Sequence, residues 1–450
     1  MIDRSREPRG TRAETGVTSG PVVARNSDTE PLGLASWVLA LYFVVEYSRI
    51  QDVIFPLQYM KLGLAAWAAG ICALLFYRNH PFPREARPVM IFLGLMAAGI
   101  PFAQNPRVAF FTTLTVAQML FSCTFLLMTA TDSMKKLRFA LWAFVAASTY
   151  QAFLGIKNGG VGIGYFVDEN DLCMLAAMVA PIAYFLGATA EGWKARLVGF
   201  GLLFLSVLAG VASFSRGGFL AMVGTGGYLI LRSPRRIATL LAITVALLLV
   251  YPLVPPAWYK EMATIETADQ YGDTGETRLY MWGIAWHVYL DNPVVGVGPN
   301  NLGRHMAEFE DESTGHRSMW GRACHSIYFT LLAESGTVGT IVWLWMLLAS
   351  VRVNALVARA VKRRAADPAT ARTKTLLKQR QLLGISRGLE ASLIGFLVAG
   401  VFLTTNYYPN LWTLIGFMLA TRLTLENDSD LAPLLTPAPA PEPTLHRVRA

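Results

Sequence analysis

Charge is what this chain has least of. Of its 450 residues only 15% are Asp, Glu, Lys or Arg, where a soluble domain carries about 25%. Cysteine is scarce too: Cys72, Cys123, Cys173 and Cys324 form no CxxC pair, so a thiolate zinc site or a thioredoxin-like redox motif is excluded. They read as small buried hydrophobes, with a Cys173–Cys324 bridge open only if both face an oxidising compartment. The six histidines are scattered, and His287, His305, His316 and His325 show no HxxxH spacing, so no metal site is expected. No short basic stretch followed by an apolar core opens the chain, so no cleavable signal peptide is read.

What is abundant is apolar sequence, 54% of the chain, and it comes in runs rather than in alternation. Runs of about 20 apolar residues are transmembrane candidates. Twelve such stretches centre on 33–48, 59–77, 88–104, 108–130, 137–155, 171–189, 195–213, 217–231, 237–254, 325–351, 389–405 and 410–424. The expected fold is therefore all-α, a polytopic membrane helical bundle. Its membrane domain covers 31–425, between polar residues 1–30 and a Pro/Ala-rich tail over 426–450, both expected to be disordered.

The net charge of +9 belongs to orientation rather than to nucleic acid. Arg78, Arg84 and Arg87; Lys135, Lys136 and Arg138; Lys194 and Arg196; Arg232, Arg235 and Arg236; and the basic segment 352–387 all fall on one side of the twelve-span arrangement. By the positive-inside rule that side is cytoplasmic, and so are both termini. The basic segment reads as a cytoplasmic loop facing anionic membrane lipids.

The opposite side holds 156-IKNGGVGIGYFVDEND-171, 213-SFSRGG-218, 404-TTNYYPN-410 and a large loop over 255–324. That loop contains Trp258, Trp282, Trp286 and Trp320, which argues for order. Within it 276–293 has helical periodicity, with Leu279, Trp282, Gly283, Trp286 and Leu290 on one apolar face, Asp273 and Glu276 at its start and Pro293 after its end. Such a face suits either the membrane interface or a helix closing over the bundle. The following 296-GVGPNN-301 lacks the strand-then-helix setting of a nucleotide fingerprint and reads as a turn.

Intramembrane charges are costly and mark function or a partner. Glu46 has Arg49 three residues on, a local helical pair. Glu334 lies about 13 Å along a helix from His325 and on the opposite face, so it reads as a structural hydrogen-bonder to a neighbouring helix, while Gly336 and Gly339 share the His325 face and suggest close helix packing there. Arg216, Arg278 and His325 fall at one membrane face. A guanidinium binds phosphate in a fork, and an imidazole takes a proton near neutral pH. That trio suits a diphosphate-linked substrate; interfacial arginines touching lipid headgroups is the plainer alternative.

The motifs 213-SFSRGG-218, 278-RLYMWGIAWHVYLDNPVVGVGPNN-301 and 325-HSIYFTLLAESGTVG-339, in order, resemble the O-antigen ligase and polymerase superfamily. The match in order and spacing covers about 170–345, with 166-FVDENDLCMLAA-177 similar to the entry of the preceding helix; residues 1–165 agree only in hydropathy. The resemblance implies a bacterial inner-membrane glycosyltransferase of GT-C-like architecture with its site in a large periplasmic loop bearing short amphipathic helices. Its donor would be a glycan on undecaprenyl diphosphate, its acceptor lipid A–core, protein or another glycan, and it would use neither metal nor cofactor. Carried over by position, Arg216 and Arg278 would bind the diphosphate and His325 would activate the acceptor hydroxyl, with Ser215, Asn170 and Glu334 in support. A ligase is favoured over a polymerase. A transporter is the reading of another class, disfavoured because the charges gather at one face rather than at mid-membrane.

Overall fold

The computed structural model describes residues 31–76, 83–233, 236–267, 270, 274–310, 318–363 and 373–435. The expectations for residues 1–30 and for the tail from 436 onward, and those resting on Arg78, Arg235, Asp273 and His316, lie outside the described residues.

Helices make up the fold, and no strand forms among the described residues. Each of the twelve predicted apolar stretches falls on a helix. They are α1 (Leu34–Phe43, continued by a π turn to Ser48), α2 (Leu62–Leu75), α3 (Arg87–Gly99), α4 (Pro106–Leu120, continued to Ala130), α5 (Met134–Lys157), α6 (Glu169–Ala188), α7 (Trp193–Ala212), α8 (Arg216–Arg232), α9 (Arg236–Val250), then α12 (Ile327–Arg363), α13 (Thr373–Ala399) and α14 (Pro409–Asn427). Between them α10 (Pro256–Ala263) and α11 (Thr274–Asp291) fold the large loop. Seven helices are long and apolar enough to cross a membrane, or eight if the bent pair Thr239–Leu253 and Pro256–Thr267 is one broken span; α1 with its π turn and α2 are shorter apolar helices. A polytopic helical membrane protein follows.

Local chemistry sets the helix starts. The Asn105 side chain accepts the Val108 N–H at 3.0 Å, and Pro106 fills the first helical position of α4, where its missing N–H costs nothing. Asp168 and Ser215 cap α6 and α8 in the same way. The bend of 113° between α9 and α10 coincides with Pro252, Pro255 and Pro256, which cannot continue a helix.

The core lies where α6, α13 and α14 meet their neighbours. α14 is buried from Pro409 to Leu425 except at Arg422, which pairs with Glu85 and Glu426, as a helix apolar on nearly all sides must be. α6 and α7 approach closely: a Cβ on Gly199 would stand 2.5 Å from the Gly187 Cα, so only glycine allows this spacing.

Three sequence expectations change here. The basic segment 352–387 is not a loop: α12 continues to Arg363 and α13 begins at Thr373, leaving only 364–372 outside the described residues. Disorder from 426 onward also fails at its start. Lys378 is buried and its Nζ sits 2.9 Å from Asp428 and 2.7 Å from Asp430, while Leu431 and Leu434 pack into the core. A buried ammonium needs paired carboxylates, and the polar run 427-NDSD-430 supplies them. Finally, Arg49 pairs with Asp52 at 2.8 Å rather than forming the local pair with Glu46; it sits at φ 53°, off the helical path that would align the two.

Candidate functional site

Two helix N-termini meet at the centre of the site. Ser215 caps α8 by accepting the Gly218 N–H at 2.8 Å, and its hydroxyl donates to Asn170 Oδ1 at 2.7 Å. The Asn170 backbone and side-chain N–H groups both donate to Asp168 at 2.8 Å, which caps α6. Contact is tight because Gly218 faces Cys173: a Cβ there would lie 2.3 Å from the Cys173 Cβ. Ser215 and Asn170 are both buried, so they brace the two helix ends instead of reaching outward.

Arg216 rises from this brace. Its Nη1 donates to the Thr264 hydroxyl at 3.0 Å and the Thr264 carbonyl at 3.3 Å, its Nη2 donates to the Thr274 hydroxyl at 2.6 Å, and its Nε lies 3.5 Å from Glu261. The arginine thus ties α8 to α10 and to the first turn of α11. Thr274 is four residues before Arg278, one turn earlier on the same helix face, so this contact sets Arg216 about 6 Å along the axis from the Arg278 backbone.

His325 does not lie on a helix. It takes φ 52°, and α12 begins two residues later at Ile327. The helical wheel that set His325 and Glu334 on opposite faces therefore does not apply. The segment is held by Trp282, whose Nε1 donates to the Cys324 carbonyl at 3.2 Å, and by the Ile327 N–H donating to the Gly400 carbonyl at 2.8 Å. Trp282 in turn stacks on Phe329 at 5.5 Å. Burial pushes the His325 pKa below its ordinary value, the positive charges of Arg278 and Arg322 push it further down, and Asp168 opposes them. The imidazole is thereby kept neutral and able to accept a proton near neutral pH. His325, Arg278 and Asp168 form one electrostatic neighbourhood at the paired N-termini of α6 and α8.

Glu334 is structural, and its partner is a loop rather than a helix. Its carboxylate accepts the backbone N–H groups of Asn300 at 2.9 Å and Leu302 at 3.1 Å and the hydroxyl of Tyr407. Beside it Gly336 breaks α12 at φ 61°, ψ −168°. The freed backbone groups pair with the incoming loop: Val297 N–H to the Ala333 carbonyl at 2.9 Å, Gly298 N–H to the Glu334 carbonyl at 3.0 Å, and Thr337 N–H to the Pro293 carbonyl at 2.8 Å. A Cβ on Gly336 would stand 2.4 Å from the Val294 carbonyl carbon, so the close approach expected at this glycine is made by the 293–298 chain and not by a second helix. The 296-GVGPNN-301 turn is consequently a clasp whose N–H groups are already occupied.

The predicted apolar face of α11 is reversed. Met281, Ile284, Ala285 and Val288 are buried, whereas Leu279, Trp286 and Leu290 are exposed. Met281, Ile284, Ala285 and Val288 form the inward face of α11, and the Leu279, Trp286 and Leu290 stripe is left outward. Next to Cys324 a cavity of about 330 Å³ is lined by Asn300, Arg304, Trp320, Arg322, Thr330 and Glu334. All four cysteines are free, with Cys173 and Cys324 each buried in its own packing. His287 hydrogen-bonds the Gly283 carbonyl of its own helix at 2.8 Å, and His305 pairs with Glu308 at 3.0 Å.

Residues 200–344 match the family model described as O-antigen ligase, a span that contains Arg216, Arg278 and His325. The match covers about a third of the chain and supports the O-antigen ligase superfamily. No curated protein matches it. That match supports an enzyme of the ligase or polymerase type. In and around the matched segment, sequence reading missed the parts played by Asp168, Arg322, Trp282 and Tyr407. Asp168, Trp282 and Arg322 carried a signal, as a helix cap, as a tryptophan in the outer loop and as a cation three residues before His325; Tyr407 reaches Glu334 only through tertiary folding.

Proposed function

We propose that this protein is a membrane glycosyltransferase that moves a glycan from undecaprenyl diphosphate to an acceptor hydroxyl at the periplasmic face, as an O-antigen ligase does. One observation carries the reading: a half-buried histidine with a depressed pKa stands beside Arg278 inside the matched segment. The acceptor O–H gives its proton to the neutral His325 as its oxygen attacks the anomeric carbon, a general-base contribution of about 10²–10⁴-fold. The bond from that carbon to the diphosphate oxygen breaks, and Arg216 and Arg278 hold the charge that develops there. Direct displacement inverts the anomeric carbon.

In this reading Arg216 exchanges its threonine partners for diphosphate oxygens when donor binds. Guanidinium forks take the leaving-group charge, so the reaction as proposed calls on no metal or cofactor. The exposed stripe of Leu279, Trp286 and Leu290 lies in the membrane interface beside the lipid carrier. Twelve spans, a GT-C-like bundle and an inner-membrane location with both termini cytoplasmic complete the picture, supported by the side on which the basic residues gather. The acceptor is lipid A–core, a protein or a second lipid-linked glycan.

The test is His325→Ala in the native host, with lipid-linked and surface glycan both examined. Long chains stranded on the lipid carrier are the result expected for a ligase. Single repeats reaching the surface without long chains would make the acceptor another repeat and the enzyme a polymerase. Unchanged glycan in both pools would overturn the enzyme reading at this residue.

A further inference from the structure

The far ends of the helices that build the site enclose a second one. α6 and α8 run from the Asn170–Ser215 brace to Ala188 and Arg232, about 25 Å away for the 17 residues of α8. There, with α13 alongside, they leave a cavity of about 410 Å³. Tyr184, Phe185 and Leu383 supply apolar wall, while Arg232, Arg380 and Arg387 supply three guanidiniums. Against these stands the buried Glu390. It accepts from the Tyr228 hydroxyl at 2.6 Å and from Asn354 Nδ2 at 3.2 Å, with Arg232 at 3.6 Å.

The charges do not balance. One carboxylate, already engaged by a tyrosine and an asparagine, meets three arginines at the rim of an apolar bundle. Arg380 is exposed and Arg387 half-buried, so the pair spans the cavity's wet and dry levels. Arginine is the side chain whose donors match phosphate oxygens, and basic pockets between helices at a membrane edge hold anionic lipid headgroups. Leu231 and Ile237, both largely exposed, offer an apolar surface for a lipid chain beside the opening.

We propose that the cavity bounded by Arg232, Arg380 and Arg387 binds the phosphate of an anionic phospholipid, at the end of the bundle opposite His325. It is independent of the reaction at His325 and holds whether that reaction is a ligation or a polymerisation. Glu390 acts as the counter-charge that keeps the empty cavity tolerable and limits affinity.

The experiment is native mass spectrometry of the purified full-length protein in detergent with phosphatidylglycerol, with phosphatidylcholine and with inorganic phosphate, alongside its thermal melting. Wild-type protein is expected to retain phosphatidylglycerol over phosphatidylcholine. The pair Arg380→Gln with Arg387→Gln should weaken that retention about tenfold or more, since each removes a charge-assisted contact. Glu390→Gln should strengthen it, an outcome that mere loss of packing cannot produce. Raised melting with inorganic phosphate alone, lost in the arginine pair, would support the oxyanion site and assign it to soluble phosphate. Equal retention of both lipids, undiminished retention in the arginine pair, or weaker retention in Glu390→Gln would overturn the proposal.

Discussion

The Glu334 carboxylate accepts the backbone N–H of Leu302 at 3.1 Å, joining a helix to a loop 32 residues earlier in the chain. A second N–H, from Asn300, reaches the other oxygen at 2.9 Å. Replacing Glu334 by Ala strands the buried Leu302 donor, while the Asn300 N–H keeps the Tyr407 hydroxyl at 3.1 Å. A buried donor left without an acceptor costs about 1–3 kcal/mol, so the loss should be roughly 2 kcal/mol. Glu334→Gln keeps an acceptor oxygen and should recover about half. Thermal melting in detergent measures both; an alanine variant that melts with the wild type would show that the clasp is not held here.

Gly336 gives an independent handle on the same clasp. Its φ of 61° with ψ −168° lies in a region open almost only to glycine, and a Cβ would collide with the backbone at Val294. Gly336→Ala should therefore destabilise by on the order of 3 kcal/mol even though alanine is the better helix former. A gain in melting temperature would mean that the chain at this point is an unbroken helix.

How much of this was legible beforehand depends on the residue. The helical stretches were, because apolar length is a local property and each predicted stretch carries a helix. Arg216, Arg278 and His325 could be gathered to one face by topology alone, and the structure sets His325 within the field of Arg278. Glu334 could be recognised as structural but not assigned a partner, because its partners are backbone N–H groups of a loop, which leave no mark in sequence. The positive φ of His325 and Gly336 was equally hidden, and both made a helical wheel misleading. The buried face of α11 was misread because Met281, Ile284 and Val288 recur at helical spacing just as Leu279, Trp286 and Leu290 do, and periodicity alone does not choose between two apolar faces. Lys378 lies in the basic segment read as facing membrane lipids, whereas it is buried against Asp428 and Asp430, a pairing set only by the fold.

Arg216 donates to Thr264 and Thr274 and lies beside Glu261, and the two roles it could serve separate experimentally. Lysine keeps the charge but loses the fork. Arg216→Lys should lower kcat/KM about 10²-fold if the fork grips a diphosphate in the transition state. Thr274→Val removes one acceptor of Nη2 while leaving the guanidinium intact, and should stay within about threefold of wild type, a change near 0.6 kcal/mol. If Thr274→Val fails as badly as Arg216→Lys, the arginine serves to hold the loop and the clamp assignment falls.

The pH profile tests whether Arg278 and His325 act as a pair. The folded-state pKa of His325 lies below its ordinary value of 6.5, chiefly through burial and next through the charge of Arg278. In the window between that depressed pKa and 6.5 the unfolded chain binds more protons than the folded one. Stability contributed by this group therefore rises with pH across the window, levels off above 6.5 and is lost on acidification. Activity should follow the neutral imidazole, so the acid limb of kcat/KM falls below pH 6.5. Arg278→Gln removes one of the lowering charges and should move that limb upward toward 6.5, while also cutting kcat/KM about 10²–10³-fold through loss of the leaving-group contact. A reduced rate with an unmoved acid limb would leave Arg278 as a phosphate ligand with no hold on the histidine. A shifted limb at nearly full rate would make it a positioning charge that never touches the diphosphate.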